Sequence, residues 1–257
     1  MARPVTEARG LPSGGAETDS MTARREKARD TWTVGVAVPA AGIGSRMGGV
    51  RKAFMELHGE PLLLRSLRPF LEHPGVVAVA VALAEEDFLN PPSWLQEADS
   101  TITLVRGGAT RGQSVMAALE ALPPSVEMVA VHDAARPLVT RAIIDRCLEA
   151  VGPERGAVAG WPAVDTLKEV DAVGRIVGTP ARDRIWHAQT PQVFPRDMIL
   201  RAYREAARSG MEETDDAALV ERIGGEVVMV RGSSANLKIT APGDLALAEV
   251  LLRAGVG

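Results

Sequence analysis

The feature that most constrains the fold is a regular alternation of short apolar runs with amphipathic stretches, which starts at Thr33 and continues almost to the end of the chain. The apolar runs have the length and composition of strands, and the stretches between them have helical periodicity. The predicted strands are 33–39, 76–83, 101–105, 127–132 and 225–231, and the predicted helices are 61–71, 112–122, 140–150, 195–208, 215–222 and 242–253. Because the runs are apolar along nearly their whole length, the sequence predicts an α/β fold with a mostly parallel, twisted sheet and helices on both faces.

The alternation breaks after Gly156. From there the chain reads AVAGWPAVDTLKEV, then a turn at residues 171–174, then RIVGTP, which is typical of an extended hairpin and not of another strand–helix unit. A hairpin of this kind can reach a partner chain. We therefore expect a protruding β-arm at about 161–184.

The first 30 residues differ from the rest of the chain. They are polar, rich in Gly, Arg, Glu and Thr, and lack the apolar stretch of a signal peptide. The sequence therefore predicts a disordered tail at 1–30, followed by a single domain at 31–257.

Charge and cysteine content limit the partners of the chain. The net charge is −4 and the pI is about 5.7, which gives no overall attraction for nucleic acid or an anionic membrane. The single cysteine, Cys147, cannot form an internal disulfide, and the sequence has no His/Cys spacing typical of structural zinc. No apolar run approaches the roughly 18 residues of a membrane span. We therefore expect a cytoplasmic protein with no nucleic-acid and no membrane partner.

The loop after the first predicted strand is rich in glycine and reads VPAAGIGSRMG at residues 38–48. It is not the dinucleotide fingerprint GxGxxG, because Met47 occupies the third glycine position, and it is not a Walker loop. Its exposed backbone N–H groups, followed by Arg46, Arg51 and Lys52, favour a triphosphate ligand. The alternative is an ordinary tight turn with solvated basic side chains.

Two further loops follow predicted strands and carry polar side chains. The first, RGGATRGQS at residues 106–114, offers glycines for backbone contact and Ser114 at the start of a helix. The second, HDAARP at residues 132–137, places Asp133 and Arg136 at a strand end. Ligands of open parallel sheets bind at such strand ends, so we expect the three loops to form one site. The alternatives are plain loop chemistry for the first and a loop-fixing ion pair for the second.

Together these motifs resemble the 2-C-methyl-D-erythritol 4-phosphate cytidylyltransferase family of the non-mevalonate isoprenoid pathway, which has a Rossmann-like nucleotidyltransferase fold. The resemblance runs from about Thr33 to Arg253 and rests on PAAGIGSRMG with KAF, GGATRGQSV, VHDAARP, DTLK, WHAQTPQVF, TDDAA, and NLKIT followed by GDLALAE. The order of HDAARP, TPQVF and NLKIT is its most selective part. The chain departs from the family at Arg51, where the family commonly has proline.

The resemblance implies a role for each matching residue. Arg46 and Lys52 match the cations that contact the triphosphate and stabilise the transition state, and Arg182 and Lys238 match the cations that position the acceptor. These four are the predicted catalytic residues. The predicted CTP-binding residues are Pro39, Ala40, Ala41, Gly42, Ile43, Gly44, Gly108, Ala109 and Ser114, and the predicted acceptor-binding residues are Asp133, Arg136, Thr166 and Thr214.

The implied reaction is attack of a phosphomonoester oxygen on the α-phosphorus of CTP, which releases pyrophosphate. A phosphomonoester has a second pKa of about 6, so the nucleophile is ionised at neutral pH and no protein base is needed. We expect structural hydrogen-bonding roles for His132 and His187. The resemblance also implies Mg²⁺ held mainly by phosphates and water, and a homodimer in which the arm delivers Thr166 and Arg182 to the partner's site.

Two other readings stay open from the sequence. One is a nucleotidyltransferase for a different acceptor, such as ribitol phosphate or a sugar 1-phosphate, which the arm and the NLKIT loop would distinguish because they contact the acceptor. The other is a nucleotide-binding regulatory module without turnover. Retention of both Arg46 and Lys52 argues against the second.

Overall fold

A seven-stranded sheet forms the centre of the fold. The computed structural model describes residues 32–42, 51–210 and 215–255. The strands of the main sheet are β1 (Val34–Pro39), β4 (Val76–Leu83), β5 (Ile102–Arg106), β6 (Met128–Val131), β7 (Arg155–Pro162), β10 (Trp186–Pro195) and β11 (Glu226–Arg231). Two small hairpins lie outside it, made by β2 (Glu56–Leu57) with β3 (Glu60–Pro61) and by β8 (Glu169–Val170) with β9 (Ile176–Gly178).

Helices connect most of these strands. They are α1 (Leu62–Leu71), α2 (Glu85–Leu89), α3 (Ser93–Gln96), α4 (Arg111–Ala121), α5 (Arg141–Ala150), α6 (Arg196–Ser209), α7 (Asp216–Arg222) and α8 (Pro242–Arg253). Single 3₁₀ turns occur at Lys52–Phe54 and Arg182–Arg184. The helix and strand bounds that the sequence predicted agree with those observed to within about two residues.

The strand order of the main sheet is β11-β7-β10-β6-β1-β4-β5. All neighbouring pairs are parallel except those of β10, which runs antiparallel to both β6 and β7. The chain moves from β1 towards β4 and β5 and then returns to β6 on the other side of β1. The loops after β1 and β6 therefore diverge at the carboxyl edge of the sheet, which is the position where open α/β sheets bind ligands.

The core explains why the strands are apolar on both faces. Ala37 of β1 belongs to a buried cluster with residues of α4, α6 and α7, while its neighbours Val36 and Val38, also fully buried, point to the opposite face. On α1, buried residues recur at helical spacing from Leu62 to Phe70. The predicted α/β class, with a mostly parallel sheet covered by helices, is confirmed.

One expectation for residues 156–195 was wrong in part. Residues 157–162 do not belong to the arm; they lie in β7, which pairs in parallel with β11 and antiparallel with β10. The turn expected at 171–174 is confirmed, because it closes the β8–β9 hairpin. The sequence also gave no prediction for β10, whose residues Gln189–Pro195 are buried at the centre of the sheet. The arm thus leaves the sheet after Pro162 and rejoins it at Trp186, with only the short β8–β9 hairpin inside it.

Residues Thr33–Gly257 form one compact unit. The predicted disordered tail at 1–30 lies outside the described residues, and the domain boundaries stay a prediction. Within the described ranges, no helix combines the length and the apolar character needed to cross a membrane.

Candidate active site

A cleft of about 860 Å³ opens at the carboxyl edge of the sheet. The ends of β1, β5 and β6 form three of its walls, and the segment around Lys238 forms a fourth. Ten of the predicted site residues line it: Pro39, Ala40, Ala41, Gly42, Lys52, Gly108, Ala109, Ser114, Asp133 and Lys238. The structure therefore brings together, in one cavity, residues that lie up to about 200 positions apart in the sequence.

One end of the cleft is built from backbone. The Ala40 amide donates to the Ala82 carbonyl (2.8 Å), and the Gly107 amide donates to the Leu83 carbonyl (2.7 Å). The first residues of the loops after β1 and β5 are therefore both bonded to the end of β4. Ser114 Oγ accepts from the Gly108 amide (3.1 Å) and donates to the Thr110 carbonyl (3.0 Å). These bonds hold the loop of residues 107–110, here called the glycine loop, rigid before any ligand binds. They also occupy part of the hydrogen-bonding capacity of the Ser114 hydroxyl.

A capping box fixes the same loop to α4. Thr110 is the N-cap, its side chain accepts from the Gln113 amide (3.2 Å), and the Gln113 side chain accepts from the Thr110 amide (3.3 Å) and the Ala109 amide (2.8 Å). This pairing satisfies amides that a helix start otherwise leaves without partners.

Glycine is required at Gly107, because a Cβ there would meet Ala41 Cβ at 2.6 Å.

The other end of the cleft is centred on the buried carboxylate of Asp133. Lys238 Nζ lies 2.8 Å from Asp133 Oδ2, Arg111 Nε lies 3.2 Å from Oδ1, and Arg136 Nε lies 3.8 Å from Oδ2. Burial alone would raise the pKa of Asp133, but Arg111, Lys238 and Arg136 together hold that pKa well below its usual range. Asp133 is therefore ionised across the physiological pH range and can only accept hydrogen bonds.

Arg111 is held from behind by a second carboxylate. Its Nη1 and Nη2 donate to Asp216 Oδ1 (2.9 Å) and Oδ2 (2.8 Å), and Tyr203 Oη also donates to Asp216 Oδ1. Asp216 is fully buried. Burial opposes the charge on Arg111, but Asp216 raises the pKa of the guanidinium above its ordinary value. Burial and Asp216 likewise raise the pKa of Tyr203, which stays protonated.

His132 has a structural role. Burial lowers its pKa to about 4, so the imidazole is neutral at physiological pH. Nε2 lies 3.3 Å from the Arg136 carbonyl, which can only accept, so Nε2 carries the hydrogen. The Thr190 hydroxyl then donates to Nδ1 (3.0 Å) and accepts the Asp133 amide (3.1 Å). The two residues thus support the backbone that carries Asp133.

The NLKIT segment is locked to the same loop. The Asn236 side chain is buried and donates to the Thr190 carbonyl (2.9 Å), and the Ile239 amide donates to the Ala135 carbonyl (2.8 Å). Arg136 Nη1 donates to the Asn236 carbonyl (2.8 Å), which places Arg136 beside the cleft wall and not in it. These bonds direct Lys238 towards Asp133.

Lys52 also lines the cleft. Its Nζ donates to the Thr240 carbonyl (3.3 Å), two residues beyond Lys238. The preceding residue, Arg51, pairs with Asp87 and Glu86 at 2.5 Å each and so ties the Lys52–Phe54 turn to α2. Phe54 packs edge-on against Trp94 of α3 at 5.4 Å between ring centroids.

Some predicted site residues are not in the cleft. Thr166 and Arg182 are exposed on the arm, where Arg182 donates to the Val164 carbonyl of the same arm. Arg46, Ile43, Gly44 and Thr214 lie outside the described residues. The sequence interpretation missed Arg111, Tyr203 and Asp216; Arg111 and Asp216 lay within quoted motifs, GGATRGQSV and TDDAA, and charged residues next to assigned ones were the available signal.

The described part of the chain contains no group of three His, Cys, Asp or Glu side chains placed to hold a metal ion. Of the carboxylates that line the cleft, Asp133 is paired with cations, Glu85 lies 2.7 Å from Arg106, and Glu86 pairs with Arg51. The cleft therefore combines a backbone-lined end with a cationic end, which suits a phosphorylated ligand.

Comparison with known proteins agrees with this geometry. Residues 34–254 match the model of the family IspD: 2-C-methyl-D-erythritol 4-phosphate cytidylyltransferase. The chain is 44% identical over 220 residues to the enzyme of that name from Symbiobacterium thermophilum (85% of this chain, 92% of that protein). It is 41% identical over 222 residues to the one from Microcystis aeruginosa (84% and 96%).

Solved structures give the same result. The crystal structure of 2-C-methyl-D-erythritol 4-phosphate cytidylyltransferase from Thermus thermophilus has a TM-score of 0.73 at 35% identity (87% of this chain, 100% of that one). The 4-diphosphocytidyl-2C-methyl-D-erythritol synthase from Anaerococcus prevotii has a TM-score of 0.76 at 27% identity (86% and 99%).

The fold, with these matches, defines a nucleotidyltransferase. Its activity is that of a cytidylyltransferase in the methylerythritol phosphate route to isoprenoids. The chain belongs to the 2-C-methyl-D-erythritol 4-phosphate cytidylyltransferase family.

Proposed function

We propose that the cleft binds the two substrates at its opposite ends and joins them near Lys52. CTP occupies the backbone-lined end, with its base against Ala40, Gly108, Ala109 and Ser114, and its triphosphate extends along residues 39–44. 2-C-methyl-D-erythritol 4-phosphate occupies the end centred on Asp133. The observation that supports this arrangement is the single cavity that is lined by the Gly107–Gly108 loop, by the Asp133–Lys238 pair (2.8 Å) and by Lys52.

The chemical step needs no protein nucleophile. An oxygen of the acceptor's phosphate forms a bond to the α-phosphorus of CTP while the bond from that phosphorus to the bridging oxygen of pyrophosphate breaks. The attacking oxygen is already ionised, so no proton has to be removed. The difficulty is the added negative charge, which preorganised cations stabilise in a site shielded from water. Lys52 and Arg46 supply the positive charge that offsets it at the α-phosphate.

Asp133 and Lys238 position the acceptor. Because Asp133 is ionised, it accepts hydrogen bonds from the polyol hydroxyls and gives them one orientation. Lys238 can exchange part of its pairing with Asp133 for the acceptor's phosphate, since it is the more exposed of the two side chains (42% against 10%). In our proposal Thr214 assists at this end, and Arg136 acts from beside the cleft wall through its ion pair with Asp133.

Mg²⁺ is part of the proposal and enters with the nucleotide. The cleft carboxylates are already paired with cations, which fits an ion held mainly by phosphate oxygens and water. When bound, it neutralises phosphate charge and orients the triphosphate. The side chains of this chain supply the remaining cations.

We further propose a homodimer formed through the arm, at residues 163–185. Five of its apolar side chains are more than half exposed in the single chain: Val164, Val170, Val173, Ile176 and Val177. Several exposed apolar side chains within one short segment are typical of a surface that packs against another protein. A second copy of the chain would cover them and bring Thr166 and Arg182 to its cleft. The compartment we propose is the cytoplasm, with no nucleic-acid or membrane partner.

The assignment is tested by pyrophosphate release from a matrix of nucleoside triphosphates and phosphorylated polyols. We expect turnover with CTP and methylerythritol phosphate, and a fall in kcat of about 100-fold in Lys52→Ala, as for other groups that stabilise transition-state charge. Arg208→Ala, which removes an exposed arginine of α6 that does not line the cleft, is the control and is expected to leave kcat unchanged. Activity of Lys52→Ala near that of the control would refute the electrostatic role.

The shared site is tested with hybrid dimers. Arg46→Ala and Arg182→Ala chains are each expected to be inactive alone. When they are mixed, one of the two sites in a hybrid dimer receives both arginines, so part of the activity should return. No recovery, with subunit exchange proven by mass spectrometry, would contradict the proposal.

A further inference from the structure

Arg111 connects two carboxylates on opposite sides of its guanidinium. Nε donates to Asp133 Oδ1 (3.2 Å), and the two terminal nitrogens donate to the two oxygens of Asp216 (2.9 and 2.8 Å). The guanidinium is planar and rigid, so fixing one edge fixes the direction of the other. The position of Asp216 therefore determines where Arg111 meets Asp133.

The anchor itself belongs to the buried helical layer. Asp216 lies in the first turn of α7, is fully buried, and also accepts a hydrogen bond from the hydroxyl of Tyr203 of α6. A buried carboxylate with three donors has little freedom to move, and removal of a partner leaves charge without compensation. The support for Asp133 thus comes from helices that contribute no residue to the cleft lining.

We propose that Arg111 is a positioning residue for the acceptor: it fixes the Asp133 carboxylate from the Asp216–Tyr203 anchor. The inference rests on the proposed function, in which Asp133 receives the acceptor's hydroxyls. Arg111 is not expected to serve mainly as a phosphate ligand, because two carboxylates already offset its single positive charge.

The position of Arg111 at the start of α4 also links the two ends of the cleft. It is the first residue of α4, one residue after the Thr110 N-cap that holds the glycine loop. Arg111 is therefore rigidly joined to the CTP loop by the helix backbone and to the acceptor end by its side chain. A change in its side chain should affect the acceptor and spare the nucleotide.

The test is a double-mutant cycle on kcat/KM for the acceptor, with Arg111→Lys and Asp133→Asn. Lysine keeps the charge but cannot bridge two carboxylates in this way. We expect Arg111→Lys to lower acceptor kcat/KM about tenfold, a typical coupling for residues in one network, with KM for CTP within about twofold. In the Asp133→Asn background, the further loss should be less than about twofold, because the group through which Arg111 acts has been changed.

Arg106→Lys, at the neighbouring end of β5, is the matched control and should leave both parameters unchanged. Tyr203→Phe keeps the buried ring and removes one donor to Asp216, so it extends the cycle with a milder change and covers the case in which Arg111→Lys does not fold. We expect Tyr203→Phe to lower acceptor kcat/KM about threefold, and again only when Asp133 is present.

The outcomes separate the two proposals. If Asp133→Asn alone leaves acceptor kcat/KM intact, the placement of the acceptor is wrong. If Asp133→Asn is impaired, but Arg111→Lys or Tyr203→Phe costs as much in that background as in the wild type, Arg111 does not act through Asp133. A rise in KM for CTP as large as the loss for the acceptor would also overturn the inference.

Discussion

Gly107→Ala should damage CTP binding while leaving the fold intact. A methyl group at this position would lie 2.6 Å from Ala41 Cβ, 2.9 Å from Ser114 Oγ and 3.1 Å from the Leu83 carbonyl oxygen. Ordinary contact begins at 3.4 Å, so the loops after β1 and β5 must separate by about 0.8 Å. Overpacking of this kind costs about 1–3 kcal/mol. A displacement near 1 Å can lower a rate about 100-fold, so we expect kcat/KM for CTP to fall by about 10- to 100-fold.

The assay is initial pyrophosphate release with CTP varied at saturating acceptor, together with thermal unfolding of the same variant. Gly112→Ala is the matched control: its methyl group would meet nothing closer than 3.8 Å, and it replaces a glycine inside α4. It should leave KM for CTP unchanged and stabilise the protein by about 0.5–1 kcal/mol. Equal CTP kinetics in the two variants would refute the argument from loop contact.

Two more predictions follow from side chains near the cleft. Arg51→Ala should lower kcat several-fold, because it releases the Lys52 turn from Asp87 and Glu86. Arg51→Pro should keep a kcat closer to that of the wild type, since the backbone φ of −67° suits a proline ring. Equal rates in the two variants would contradict this. The free energy of unfolding should also decrease as the pH is lowered. His132 has a pKa of about 4 in the folded state and about 6.5 in the unfolded state, so its contribution to stability is complete above pH 6.5 and is lost as the pH falls towards 4. The loss is at most about 3 kcal/mol and is measured by denaturant unfolding between pH 7 and 4.5; a flat profile would refute it.

The strands and helices were predictable because their signals are local. The run at 76–83 is apolar throughout and forms β4 over those residues, since a strand buried on both faces needs no polar position. β10 gave no comparable signal: it contains polar Gln189, Thr190 and Gln192, which are buried only because distant segments supply their hydrogen-bond partners. Partners remote in sequence leave no pattern in the strand itself.

The site divides in the same way. Asp133, Lys238 and the glycine loops follow strand ends or match motifs, so their convergence could be expected from topology. Asp216 lies within the quoted motif TDDAA, but the motif does not give its role, because an acidic residue at a helix start usually faces solvent as a cap. Here its neighbour Asp215 takes the cap, and Asp216 turns inward to Arg111. Only the packing of α6 and α7 decides which of the two carboxylates is buried.

The single antiparallel strand also gives the molecule a mechanical property. The first residues of β10 pair only with β7, Gln192 and Val193 pair with both β7 and β6, and the irregular stretch in the β7 ladder, between Ala188 and Gln192, carries Thr190. Tension applied to the arm would therefore enter β10 along its own axis and load its hydrogen bonds in shear at the centre of the sheet, not by peeling an edge. The Thr190 hydroxyl accepts the Asp133 amide, so part of that load would pass directly to the backbone of Asp133.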